Sequence, residues 1–211
     1  MEKQLEAFFK YLKKQPPGFV YGKIMTKEEK LKQLQKKFTN CQKCPLAKQG
    51  RTQIVFGEGS ANAKLMFIGE GPGREEDQQG KPFVGKAGKL LTKILQAMNL
   101  TRKDIYITNV VKCRPPNNRA PLPNESEICK NLILFREIDI IKPKIICTLG
   151  ASATQALLGN DIKISKKRGL FFKYKDIEVM PTFHPAYLLR NPEAKKLVWE
   201  DMKKILKKLK N

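Results

Sequence analysis

The chain has one histidine and one tryptophan among 211 residues, and only 20 acidic side chains against 42 basic ones. No apolar run is long enough to cross a bilayer, and there is no internal repeat or low-complexity tract. Membrane-spanning, repeat and low-complexity architectures are set aside on that basis. The first residues, MEKQLEAFFKYLKK, carry acids and no cleavable apolar segment, so no secretion signal is expected and the protein reads as intracellular and cytoplasmic. Five cysteines in an intracellular chain argue against a disulfide framework. A phosphate loop is also lacking. The stretch GEGPG (69–73) has no Lys-Ser/Thr ending, and the carboxylates beside it would repel phosphate.

What is present is positive charge, a hydrophobic share of 41%, and one unusual loop. The length suits one domain plus an appendage, and the apolar share suffices for a core. The net charge of +22 points first to nucleic acid, with an anionic membrane surface or a thermophile's charged exterior as competing explanations. Basic residues are scattered, with denser runs at Lys163–Lys175 and Lys195–Lys210. They imply attraction to phosphates without readout of sequence.

Residues 1–40 read as a lysine-rich helical extension. Glu2–Lys14 has an amphipathic pattern broken by Gln15-Pro16-Pro17-Gly18, and Thr26 with Glu29 forms a capping box for a helix to about Lys37. Residues 41–211 read as the compact domain. Four apolar segments there predict strands at Leu65–Gly69, Ile105–Val111, Ile145–Leu149 and Ile177–Thr182. Helices are expected over Gly85–Met98, from Asn124 (with Glu127 as capping partner) to about Ile141, and over Ser152–Leu158. A last helix from Asn191 would turn Leu197, Ile205 and Leu209 to one side. Alternating strands and helices predict a parallel sheet with helices on both faces.

Between the first strand and its helix lies GEGPGREEDQQGKPFVG (69–85), with glycines, prolines, carboxylates and one aromatic residue. Such a loop sits at the carboxyl edge of an open α/β sheet, where these folds bind ligands. The same layout carries Asn109, Gly150 and His184 to that edge. A lone histidine is commonly structural; one just past a buried strand, at an edge already holding a shaped loop, is a candidate for the site. Cys41 and Cys44 form C-x2-C, Cys113 and Cys129 form C-x15-C, and Cys147 lies in a buried-strand pattern. Four ligands and one packed thiol is the economical division. Zinc and an iron–sulfur cluster are both open, although C-x15-C is not a zinc-knuckle pair.

The segments GEGPGREEDQQGKPFVGKAGKLL, TNVVKCRPPNNR and HPAYLLR, with the two cysteine pairs, resemble the family 4 uracil-DNA glycosylases from about Cys41 onward. The resemblance implies a three-layer α/β/α sandwich around a central four-stranded parallel sheet. It implies a [4Fe-4S] cluster on Cys41, Cys44, Cys113 and Cys129, and a monofunctional enzyme that flips uracil from DNA and hydrolyses its glycosidic bond. Phe83 would stack on the base, Asn109 would read its Watson–Crick edge, Gly71 would offer backbone N–H groups, and Glu76 would shape the pocket against thymine. His184 would donate to the departing uracil. Glu70 would orient water, stabilise the cationic sugar or simply fix the loop. Leu188 and Leu189 would follow in a loop as the duplex wedge, with Arg190 on a phosphate. The implied partner is uracil-containing DNA, single- or double-stranded, bound by a monomer with room for replication or repair proteins as further partners. A non-catalytic DNA-binding module of the same fold and a glycosylase of broader range remain alternatives.

Overall fold

The computed structural model describes residues 24–210 and, before them, Gln4, Glu6, Ala7, Lys10, Tyr11 and Lys14. The first five of these isolated residues are helical. The remainder of the expected helix and its Pro-Pro-Gly break lie outside the described residues. Helix α1 (Lys27–Phe38) starts on the expected capping box, with Thr26 Oγ1 accepting from the Glu29 amide at 3.1 Å and Glu29 returning a bond to the Thr26 amide at 2.8 Å. Although lysine-rich, α1 is packed down: Leu31, Leu34 and Phe38 are buried, and Lys27 Nζ donates to the Ile141 carbonyl at 2.6 Å.

The sheet has six strands, where the sequence implied four. The four expected strands are all present and mutually parallel: β2 (Leu65–Gly69), β3 (Tyr106–Asn109), β4 (Ile145–Leu149) and β6 (Ile177–Thr182). Two short antiparallel strands, β1 (Glu58–Gly59) and β5 (Phe172–Tyr174), close the edges. They are too short and too exposed to give a period in sequence. The order is β1-β3-β2-β4-β6-β5. From β2 the chain moves to β3 on one side and then crosses back to β4 on the other. The carboxyl end of β2 is thus a topological switch point, and a crevice opens there.

Every residue of β2 and β4 is buried, as expected for inner strands covered on both faces. Side chains alternate between two cores. Met66, Ile68, Ile146 and Val179 face α1, α5 (Phe135–Ile141) and α6 (Ala151–Leu158). Leu65, Phe67, Ile107 and Met180 face α3 (Lys86–Ala97) and α9 (Lys195–Lys210). Helix α4 (Pro123–Cys129) runs into α5 through a π-helical turn at Lys130–Leu134. Its cap differs from expectation: Glu125, not Glu127, reaches back to the Leu122 amide at 2.7 Å. Pro123 takes the first helical position, which moves the cap two residues upstream of Asn124, and Glu127 instead pairs with Lys130. In α9 the buried stripe is Val198, Met202 and Ile205, while Leu197 is 46% exposed, so the expected apolar side is displaced by one residue at its start. Among the described residues no helix is long and apolar enough to cross a membrane.

Candidate active site

A cavity of about 270 Å³ opens at the switch point, lined by Glu70, Gly71, Glu76, Phe83, Asn109 and His184 together with residues of the 115–119 turn. Loops from three parts of the chain meet because β2 and β3 end side by side, Gly69 opposite Asn109, and β6 ends two strands away. Asn109 is 2% exposed, and its Oδ1 is a buried acceptor with no hydrogen-bond partner among the described residues. Such an atom costs free energy unless something donates to it. Gly69 makes room for it: a Cβ there would lie 2.4 Å from Asn109 Oδ1 and 2.5 Å from Phe83 Cζ.

Phe83 stands in the left-handed region at φ 54°, a costly conformation for a bulky residue. Its surroundings impose it. Arg102 donates to the carbonyls of Phe83 at 3.0 Å and Pro82 at 2.7 Å, and Gly88 of α3 lies against the Phe83 backbone. A Cβ on Gly88 would come within 2.0 Å of Phe83 C and O. Backbone cannot yield as a flexible side chain can, so Gly88→Ala should displace the ring and cost about 1–3 kcal/mol. Chemical denaturation measures the second effect, and the NMR chemical shifts of the Phe83 ring report the first.

His184 caps α8 (Pro185–Arg190). Its Nδ1 accepts from the Ala186 amide at 3.1 Å. That bond fixes the tautomer: in the neutral ring the proton sits on Nε2. Burial, and secondarily Arg190, lower its pKa to about 4, against an opposing pull from Glu76. The ring is 5.7 Å from Phe83, centroid to centroid, tilted by 33°. A neutral donor and an aromatic face thus border the same cavity.

The two carboxylates differ in their attachments. Glu70 accepts from Ser152 Oγ at the start of α6. Glu76 Oε1 accepts from the amides of Val84 at 2.9 Å and Gly85 at 2.8 Å, which holds the far limb of the loop. Glu76 lies on α2 (Arg74–Gln79), a helix that the sequence reading folded into the loop. Six polar residues show no apolar period. The signals that mark it are three acids in its first turn and Gly80 at φ 69° as its C-cap. Buried Asp77 ties α2 down by accepting from the Thr52 amide at 3.0 Å.

The wedge expectation needs correction. HPAYLLR is helical, not a loop, and Leu188 is 1% exposed within the core that holds Leu91 and Met202. The helical period sends Leu188 inward and leaves Tyr187 and Leu189 outside, 38% and 46% exposed. Arg190 is exposed beside them. Sequence reasoning also missed Asn118 and Arg119, which line the cavity. Asn117 and Asn118 are both left-handed, a conformation asparagine tolerates, and Arg119 grips fully buried Glu125 with two bonds of 2.9 and 2.8 Å. The pair of asparagines was the available signal.

Cys41, Cys44, Cys113 and Cys129 line one enclosed hollow with Arg51, Lys112 and Ile133. Cys147 lies elsewhere, fully buried in β4. Arg51 donates to Cys113 Sγ at 2.9 Å and to the Cys41 carbonyl at 2.8 Å, linking the two cysteine pairs. Burial raises the Cys129 thiol to about 12, opposed by Lys112. Among the described residues no three potential ligands close around a point as a single metal ion requires.

Comparison with known proteins agrees with this geometry. Residues 56–209 match the model of the uracil DNA glycosylase superfamily. A type-4 uracil-DNA glycosylase of Thermotoga maritima is 45% identical over 86% of this chain and 95% of its own length. Another from Sulfurisphaera tokodaii is 47% identical over 84% of each chain, and one from Saccharolobus solfataricus is 48% identical over 78% of this chain and 80% of its own. Type-4 relatives at 45–48% identity over most of this chain, together with the family-model match over residues 56–209, place the chain in a family: it belongs to the uracil DNA glycosylase superfamily, on its type-4 branch.

Proposed function

We propose that this protein is a monofunctional DNA repair hydrolase that flips uracil from single- or double-stranded DNA and cleaves its N-glycosidic bond, leaving an abasic site. The observation that carries the reading is the buried, unpartnered Oδ1 of Asn109, a residue that lines the cavity. Uracil presents a ring N–H to that acceptor and a carbonyl to the amide N–H₂. Cytosine presents the opposite pattern. Phe83 offers its face to the base.

Cleavage develops negative charge on the leaving base and positive charge on the sugar. His184, with its proton on Nε2, is suited to donate to a uracil carbonyl, an interaction that strengthens as the charge grows. Backbone N–H groups at Gly71 add to it. Glu70, oriented by Ser152, serves the sugar side by holding water or offsetting the cation. Glu76 fixes Val84–Gly85 and so sets the wall that would meet a thymine methyl. Leu189, with Tyr187 beside it, takes the wedge role in place of buried Leu188, and exposed Arg190 contacts phosphate. Among the described residues that line the cavity there is no lysine, which argues against a covalent sugar adduct.

The donor set suits a [4Fe-4S] cluster on Cys41, Cys44, Cys113 and Cys129. Four thiols lining one hollow are the donor set such a cluster takes, and Arg51 supplies a donor to one sulfur. When bound, the cluster supplies a structural tie between the start of the domain and the end of β3.

Incubation with a uracil-containing oligonucleotide, followed by alkali, tests the activity. Cleavage is expected opposite G or A and in single strands, with cytosine and thymine left intact. Release of thymine from T·G at a comparable rate would remove the Glu76 assignment. With +22 net charge, affinity should fall steeply as salt rises and vary little with flanking sequence. A flat salt response between about 50 and 200 mM, the range over which phosphate binders weaken roughly a thousandfold or more, would count against DNA as the partner.

A further inference from the structure

A charged pair lies beneath the cavity floor that the mechanism above does not use. Lys112 and Glu137 are 0% and 1% exposed. Lys112 Nζ donates to Glu137 Oε2 at 2.8 Å, to the Asn109 carbonyl at 2.7 Å and to Thr108 Oγ1, which uses all three of its protons. Glu137 also accepts from Thr108 Oγ1 at 2.8 Å, the Tyr106 hydroxyl at 3.2 Å and the Gly57 amide at 3.3 Å. The network therefore grips Tyr106, Thr108 and Asn109 of β3, and Gly57 beside β1, from one residue of α5.

A fully buried ion pair is a poor device for stability alone, because desolvating two charges offsets their attraction and neutral replacements are often tolerated. Its placement suggests another use. Among the described residues the Asn109 carboxamide oxygen has no partner, so no hydrogen bond from them to that atom steers the group that reads the base. Its aim depends on the backbone at the end of β3. That end is held on one side by Val110 N to Gly69 O at 2.9 Å, and beneath by Lys112 on the Asn109 carbonyl. Lys112 also stands directly before Cys113, so the same short turn carries base reader, lysine and cysteine in succession.

We propose that Lys112 and Glu137 are a positioning pair that sets Asn109 for recognition of the base. This role rests on the uracil-excision reading. Removing the charges while keeping volume and neutral hydrogen bonding should leave the fold intact and misplace Asn109. The variant is Lys112→Met with Glu137→Gln, in which the introduced carboxamide can still bond Tyr106 and Thr108. It should keep its melting temperature and its salt-dependent affinity for undamaged DNA. Single-turnover uracil release should fall on the order of tenfold to a hundredfold, the scale of a misplaced reacting group. Inhibition by free uracil should weaken in parallel, a readout that a purely structural role would leave unmoved. Should the double variant not fold, Lys112→Leu with Glu137→Gln serves, since a neutral pair leaves no buried charge unpaired. Wild-type protein on the same oligonucleotide separates the two ideas: no release by wild type sinks the excision reading. Normal release by wild type and by a folded variant, with unchanged uracil inhibition, overturns the positioning pair alone. An activity loss that merely tracks unfolding overturns it as well.

Discussion

Replacing His184 by alanine should slow single-turnover uracil release by about a hundredfold or more, the effect of losing one oxyanion-type donor. DNA binding and the visible spectrum should stay unchanged. The size follows from how the ring is held. Nδ1 is engaged by the Ala186 amide, so Nε2 carries the only proton and has one direction in which to give it. Burial and Arg190 keep the ring neutral down to about pH 4. A neutral donor beside a forming anion stabilises it without transferring a full charge in the ground state, so the benefit falls on the transition state. The same lowering fixes the pH dependence. From about pH 8 down to 5 the imidazole does not titrate, so the single-turnover rate should show no inflection near the ordinary histidine value of about 6.5. A fall in rate centred there would mean that the protonated ring is inactive and titrates freely. Full activity in His184→Ala would transfer the role to Asn109 and backbone N–H groups. The alanine variant also loses a helix cap, which costs about 1 kcal/mol and calls for a stability control.

The parallel strands were legible because inner strands of a doubly covered sheet are continuous apolar runs; LMFIG and IICTL match β2 and β4 residue for residue. The meeting of Glu70, Gly71, Glu76, Phe83, Asn109 and His184 followed from the same reading, since parallel strands send their carboxyl ends to one edge. Features set by tertiary contact were not legible. Leu188 and Leu189 are adjacent leucines, and only the packing of α8 against α3 and α9 decides which one turns inward. Lys112 reads as one more basic residue in a basic chain; its burial depends on Glu137, 25 positions later, and on the Thr108 hydroxyl and Asn109 carbonyl of β3. The left-handed Phe83 has no local sequence cause either. Arg102 and Gly88 impose it from elsewhere in the chain.

If the proposed iron–sulfur cluster is held as argued, Cys113→Ala should remove its visible absorption and lower the melting temperature, with activity lost as a consequence. Cys113 sits four residues beyond Asn109, 5% exposed, and its sulfur receives the Arg51 guanidinium. Cys41 and Cys44 precede the sheet, and Cys129 ends α4. A cluster on these four sulfurs joins α1, the end of β3 and α4, segments that otherwise meet across a loop, 114–122, rich in proline. A site absent from the unfolded chain adds its binding free energy to folding. Its loss should therefore cost about 4 kcal/mol or more, the range of mutations that remove a metal, and lower the midpoint by roughly 10 °C in a chain of this size. Cys147→Ala is the control. That thiol lies in β4, outside the hollow, so this variant should keep its iron and its colour while losing only packing. Iron analysis, absorption spectra and thermal melts on the two variants decide the matter. A colourless wild-type protein holding one zinc per chain would replace the cluster by a single ion. A Cys113→Ala protein that kept full iron and colour would remove that cysteine from the ligand set and leave the brace at the base-reading strand without its anchor.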